Sequence, residues 1–196
     1  KIPICLMKKI NFFFFGFGQT AKYLIRELIN SKKKFIFSAT NTKKTSLKSF
    51  SKKKFKSFKF KDINFDKRLL KKLQYADYIL VSIPPQGKKD LVLKRFKKNL
   101  KNLNFKKLIY LSATSVYGNH NGKWVSENSK LKGKTLFGIR RIAAEKAWID
   151  FKKLSGLDIN ILRVSGIYSK ESNVLKKILK KNIYIKDKKF FSRIRI

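Results

Sequence analysis

Residues 10–29 read INFFFFGFGQTAKYLIRELI: four phenylalanines, two glycines one residue apart, then the start of a helical pattern. The spacing Gly16-x-Gly18-x-x-Ala21 suits one kind of chemistry, the cradling of a phosphate by backbone. Gly16 permits a tight turn, Gly18 leaves the backbone open to a pyrophosphate, and Ala21 lets a helix pack closely on the preceding strand. With Phe17, Gln19 and Thr20 these residues make a candidate phosphate turn, in which the first N–H groups of the helix face the anion. A glycine turn that only joins strand to helix is the competing reading.

A second patch of chemistry lies one strand further on. A dinucleotide with a free ribose 2′-hydroxyl usually meets a carboxylate about 20 residues after the glycine turn. No Asp or Glu occurs from Leu28 to Lys61, and the segment SATNTKK offers Thr40, Asn41, Lys43 and Lys44 instead. A carboxylate would repel a 2′-phosphate, whereas these groups attract it. The expected cofactor is therefore NADP in preference to NAD. No metal site is expected, because the only histidine, His120, and the only cysteine, Cys5, are far apart in sequence.

The elements that must hold these groups follow from apolar periodicity. Ile10–Phe15 reads as a buried parallel strand, and Ala21, Leu24, Ile25, Leu28 and Ile29 form the stripe of a core-facing helix. Phe35–Phe37 reads as a second strand, and Lys43–Lys61 as a lysine-rich stretch with little regular pattern. Asp66–Leu73 is expected as a short helix and Tyr78–Ile83 as a strand stopped by Pro84 and Pro85. Leu93, Phe96, Leu100 and Leu103 mark another helix face, and Leu108–Leu111 another strand. Gly138–Lys153 is expected to be helical, with Ala143, Ala147, Phe151 and Leu154 on its inner side. Ile159–Val164 is a further strand, Ser165–Asn173 a loop, and FFSRIRI at the end reads as part of a strand. Strands alternating with helices imply an α/β fold, a doubly wound parallel sheet with helices on both faces, in one domain over residues 1–196.

The composition restricts the field. Fifty Lys and Arg against 11 Asp and Glu give a net charge of +39, yet 43% of residues are hydrophobic, enough for a core. Such a charge admits nucleic acid as a partner. The lysines are spread along the whole chain, however, which fits a compositional bias better than a binding face, and no specific nucleic acid is expected. A single cysteine excludes an intrachain disulfide and suits a reducing, cytoplasmic setting. No apolar run reaches the ~18 residues of a membrane helix, so no membrane partner is expected. Met7, Lys8 and Lys9 before the phenylalanines imitate a signal peptide, but Gly16 and Gly18 break the run. Met7 can serve as the initiator, with Lys1–Leu6 lying upstream of it.

Five motifs in order, GFGQTA, ILVSIPP, YLSATSVYG, RRIAAEKAW and LRVSGIY, resemble the extended or atypical short-chain dehydrogenases/reductases. Within them the sequence is most similar to the NAD-dependent epimerase/dehydratase-like relatives of nucleoside-diphosphate-sugar epimerases. The resemblance runs from about Lys8 onward and implies a Rossmann-type sheet, a chain stopping short of the family's C-terminal substrate-binding portion, and room for a homodimer. It implies hydride exchange between a nicotinamide and a small polar or nucleotide-sugar substrate, with Ser82, Pro84, Ser112 and Arg141 joining the turn in holding the cofactor. The family's Ser/Thr, Tyr and Lys positions fall on Ala113, Phe137 and Arg141, so all three depart from the pattern, and Glu145 matches an acid that often follows. Thr114, Tyr117 and Arg141 are the catalytic candidates, and His120, Trp124, Arg163 and Tyr168 the substrate-side ones. Three functions stay open: an oxidoreductase or epimerase with non-standard acid–base groups, a dinucleotide-binding sensor or scaffold without turnover, and a basic nucleic-acid-binding protein.

Overall fold

In the computed structural model, residues 9–87, 90–168 and 193–195 are described. The chain runs β1 (Ile10–Phe15), α1 (Gln19–Asn30), β2 (Phe35–Asn41), β3 (Ser46–Phe50), β4 (Lys53–Lys61), β5 (Asn64–Phe65), α2 (Arg68–Leu73) and β6 (Tyr78–Val81). It continues through α3 (Leu91–Lys101), β7 (Lys107–Ala113), a 3-10 turn (Thr114–Val116), α4 (Leu136–Ser155), β8 (Ile159–Val164), β9 (Gly166–Tyr168) and β10 (Arg193–Arg195). The main sheet has the order β3-β4-β2-β1-β6-β7-β8, parallel except for the antiparallel edge strand β3, with β5 pairing β4. β9 and β10 form a separate parallel pair.

The four phenylalanines explain the position of β1 at the centre. Phe12 and Phe14 pack with Phe35, Phe37, Ala39 and Phe55 under α1, while Phe13 and Phe15 join Phe58, Phe60, Phe96 and Trp148 beneath α2, α3 and α4. Alternation sends successive side chains to opposite faces, and both faces are covered from Phe12 to Phe15, so all four of these positions are apolar. Each such ring contributes about 1.5–3 kcal/mol by leaving water.

Three sequence expectations need correction. Lys43–Lys61 is regular: it contains β3 and β4, with Phe55 and Ser57 on the α1 face and Phe58 and Phe60 on the other. Lysines interleaved with rings facing both ways obscured the period of two. The inner side of α4 is Ala144, Glu145, Trp148 and Phe151, whereas Ala147 and Leu154 are exposed. A buried glutamate does not read as a core residue, which rotated the expected stripe by one position. The segment read as a loop after Val164 holds β9, while its residues beyond Tyr168 lie outside the described residues. β2 and β7 also run longer than expected, to Asn41 and Ala113.

Candidate functional site

The chain order reverses at β1, which pairs with β2 on one side and β6 on the other. In open parallel sheets, the crevice beyond the carboxyl ends of strands at such a reversal is where ligands bind. The glycine turn stands there. Gly16 has φ +87°, and a Cβ on it would come within 2.8 Å of Ser82 Oγ, so only glycine fits. Its N–H donates to Thr40 Oγ1 at 2.8 Å, and Ser82 donates to the Phe15 carbonyl through its N–H at 2.9 Å and its hydroxyl at 3.1 Å. Thr40 and Ser82 therefore tie the ends of β2 and β6 to the end of β1.

Gly18 differs from Gly16. It caps α1 in an extended conformation, no side chain caps the helix, and a Cβ there would meet nothing within 4 Å. Open space over a helix N-terminus with no acid in its first turn is what a pyrophosphate needs. Ala21 is fully buried against the sheet, and the Phe17 ring packs among Phe14, Phe37, Phe50 and Phe55. Gln19 and Thr20 form the first turn of α1. These residues fit a dinucleotide.

Beyond β2, the Asn41 amide donates to Ser57 Oγ at 2.7 Å and its oxygen accepts from the Lys43 N–H at 2.7 Å. That arrangement shapes the loop and leaves Lys43 and Lys44 exposed. Folding also brings in a carboxylate invisible to local reading: Asp66 accepts from the Thr45 hydroxyl at 2.7 Å. It is already engaged by Arg68 at 2.7 Å, and that guanidinium holds its carboxyl well below the usual range.

The end of β7 gathers the second group. Cβ atoms on Gly133 and Gly138 would each lie 2.7 Å from the Ser115 carbonyl, so these glycines let the start of α4 press onto the 3-10 turn. Thr135 caps α4 by accepting from the Gly138 N–H at 3.1 Å. One turn in, Arg141 Nη1 donates to the Leu111 carbonyl at 3.1 Å, two residues before Ala113. Phe137 is 72% exposed. Thr114 is half-buried, and the buried hydroxyls of Ser112 and Ser115 have no hydrogen-bond partner among the described residues. Pro84 is exposed beyond β6.

Tyr117 and Arg163, 46 residues apart, meet at 3.1 Å, with Arg163 Nη1 donating to the phenol oxygen. The same guanidinium donates to the Glu145 carboxylate at 2.9–3.2 Å and to the Glu127 carbonyl at 2.8 Å, and it lies 5.0 Å from the centre of the Tyr117 ring. Glu145 is 1% exposed, and its carboxylate holds Arg163 above the ordinary guanidinium range. Tyr117 and Arg163 are thus brought together, but with each other and a buried acid as partners. His120 Nε2 lies 3.1 Å from the Lys130 carbonyl, and Trp124 is fully exposed on the same loop. Tyr168 ends β9, paired with Arg195.

Sequence reasoning passed over a buried polar group behind this site. Asp90 caps α3, its Oδ1 accepting from the N–H groups of Val92 at 2.9 Å and Leu93 at 3.0 Å. An Asp directly before an apolar helical run is the signal that could have found it. Among the described residues no cluster of three metal-ligating side chains occurs, and no helix is long and apolar enough to cross a membrane.

Residues 92–189 match the model of the NAD dependent epimerase/dehydratase family. No curated protein matches the sequence. Among solved structures, a conserved protein of unknown function from Silicibacter pomeroyi superposes with a TM-score of 0.75 at 24% identity, over 95% of this chain and 64% of that one. UDP-N-acetylglucosamine 4-epimerase from Methanobrevibacter ruminantium, solved with UDP-N-acetylmuramic acid, gives 0.74 at 20% identity over 96% and 70%. UDP-glucuronic acid 4-epimerase from Bacillus cereus, solved with NAD, gives 0.67 at 19% over 87% and 63%. The chain therefore spans about two-thirds of the length of these structures, and at such identities the likeness concerns the fold.

Proposed function

The chain belongs to the NAD dependent epimerase/dehydratase family, and from that premise we propose that it binds a nicotinamide dinucleotide across the β1/β6 crevice and acts slowly on a nucleotide-sugar or similar polar substrate. The observation that carries this reading is the open space above Gly18 at the reversal of strand order. The Gly16–Ala21 turn and the N-terminus of α1 hold the pyrophosphate, and Arg141 and Ser112 lie where the ribose and nicotinamide meet the end of β7. Exposed Lys43 and Lys44 receive a 2′-phosphate, which favours NADP over NAD, while Asp66 is neutralised by Arg68. The bound nicotinamide supplies hydride exchange.

What this chain lacks is the usual proton relay. Phe137 donates no proton, Ala113 orients no oxygen, and the Arg141 guanidinium stays charged and can only bind or orient. Thr114 and Ser112, on either side of Ala113, are the hydroxyls that remain beside that position. General acid–base assistance is worth about 10²–10⁴-fold, so turnover is expected to be slow while cofactor binding persists. A second reading, a dinucleotide-binding protein without turnover, draws support from one specific observation: Arg163 already occupies the Tyr117 hydroxyl.

Paired titrations of NADPH and NADH, followed by turnover assays on UDP-glucuronic acid and UDP-N-acetylglucosamine, test both readings. NADPH should bind more tightly, and Lys43→Ala with Lys44→Ala should narrow the difference. Gly18→Val should abolish binding of both, since a side chain there fills the space of the pyrophosphate. Unchanged affinity in Gly18→Val would refute the site. Binding without any turnover would select the second reading.

A further inference from the structure

At the opposite end of the strands from the glycine turn, one part of the sheet is left uncovered by the described residues. α2 has six residues and is about 9 Å long, so it covers Phe58 and Phe60 but not the amino-terminal part of β2 and the adjoining β4 and β3. A groove of about 550 Å³ remains there, with Ile36, Leu47 and Tyr75 as its apolar surface and Lys54, Lys56 and Lys72 around them. Ile36, Leu47 and Tyr75 are 48%, 69% and 67% exposed. Three large apolar side chains exposed together on one face make this groove a candidate contact surface.

We propose that this groove docks an acidic amphipathic helix of a partner protein. The floor extends from Leu47 on β3 through β4 and β2 to Asn11 on β1, three strand spacings or roughly 14 Å. A strand added at the β3 edge would reach Leu47 alone, whereas a helix lying on the sheet covers the width, as α1, α2, α3 and α4 cover other parts of it. The charge of the occupant follows from the rim: among the described residues, three ammonium groups and no carboxylate line the groove. An apolar stripe on Ile36, Leu47 and Tyr75 flanked by Glu or Asp satisfies both features. A second copy of this chain, itself carrying +39, is repelled. A nucleic acid would find lysines but an aliphatic floor with one aromatic ring, poor for stacking.

The probe is a fluorescein-labelled peptide of about 16 residues with leucines at i, i+3, i+4 and i+7 and glutamates elsewhere, followed by anisotropy at physiological salt. Its comparators are the same composition scrambled and an oligodeoxythymidine of equal charge. The striped peptide should bind at least about tenfold more tightly than either. Leu47→Ser combined with Lys54→Glu and Lys72→Glu should weaken it by about tenfold or more, with the melting temperature unchanged because all three side chains are exposed. Lack of binding, equal binding of the scrambled peptide, preference for the oligonucleotide, or indifference to the triple variant would each overturn the proposal. So would self-association that the triple variant abolishes.

Discussion

Replacing Arg163 by Met tests whether the Tyr117–Arg163–Glu145 cluster holds the fold together instead of performing chemistry. Glu145 is 1% exposed, and three contacts at 2.9–3.2 Å from Arg163 supply its hydrogen-bonded counterion. Arg163→Met leaves a carboxylate buried without that partner, which costs about 3–5 kcal/mol. For a chain of this size each kcal/mol shifts the melting temperature by about 2–4 °C, so the loss should be about 6–20 °C. Glu145→Leu alone should cost less, because the Arg163 side chain, 17% exposed, keeps the Tyr117 hydroxyl and the Glu127 carbonyl as acceptors. The double variant Glu145→Leu, Arg163→Met should be more stable than Arg163→Met, since no buried charge remains. Urea unfolding of all four proteins, followed by tryptophan fluorescence, gives the coupling energy directly. A loss below about 1 kcal/mol in Arg163→Met, or additive losses in the double variant, would refute this account of the cluster.

Gly16→Ala should destabilise by about 1–2 kcal/mol from its positive φ alone, with the Ser82 contact adding to it, whereas Gly18→Val should melt like the parent; equal melting of both variants would contradict the turn geometry. Burial pushes the Asp90 carboxyl above its ordinary range, more than the backbone N–H groups of Leu93 and Val92 lower it. The folded state then binds this proton more tightly than the unfolded one, so Asp90 costs stability as pH rises through the carboxylate range. Asp90→Ser retains a capping oxygen without the charge, so the parent's stability advantage over it should shrink as pH rises above about 4, measured by urea melts; a widening gap would reverse the sign. Ala113→Ser, Phe137→Tyr and Arg141→Lys together should raise turnover by about 10²-fold or more if the cleft is otherwise intact. No gain, despite intact dinucleotide binding, would favour the reading without turnover.

Local chemistry was sufficient to locate the turn. Gly16, Gly18 and Ala21, between an apolar run and a helical stripe, report their backbone demands in the sequence because those demands involve neighbours within a few residues. The same holds for the α/β alternation and the burial of Phe12–Phe15. The period of β4 was hidden, since Phe55 and Phe58 serve opposite faces and only pairing with β2 assigns them. The inner face of α4 was also misread, because Glu145 becomes a core residue only when Arg163 arrives from β8 to neutralise it. Asp66 beside Thr45, and Thr40 beneath Gly16, are likewise juxtapositions across strands. Side-chain types and short-range spacing are properties of the chain itself. The partners that silence or engage a charge come from remote segments, and their identity is decided only when the sheet sets its strand order.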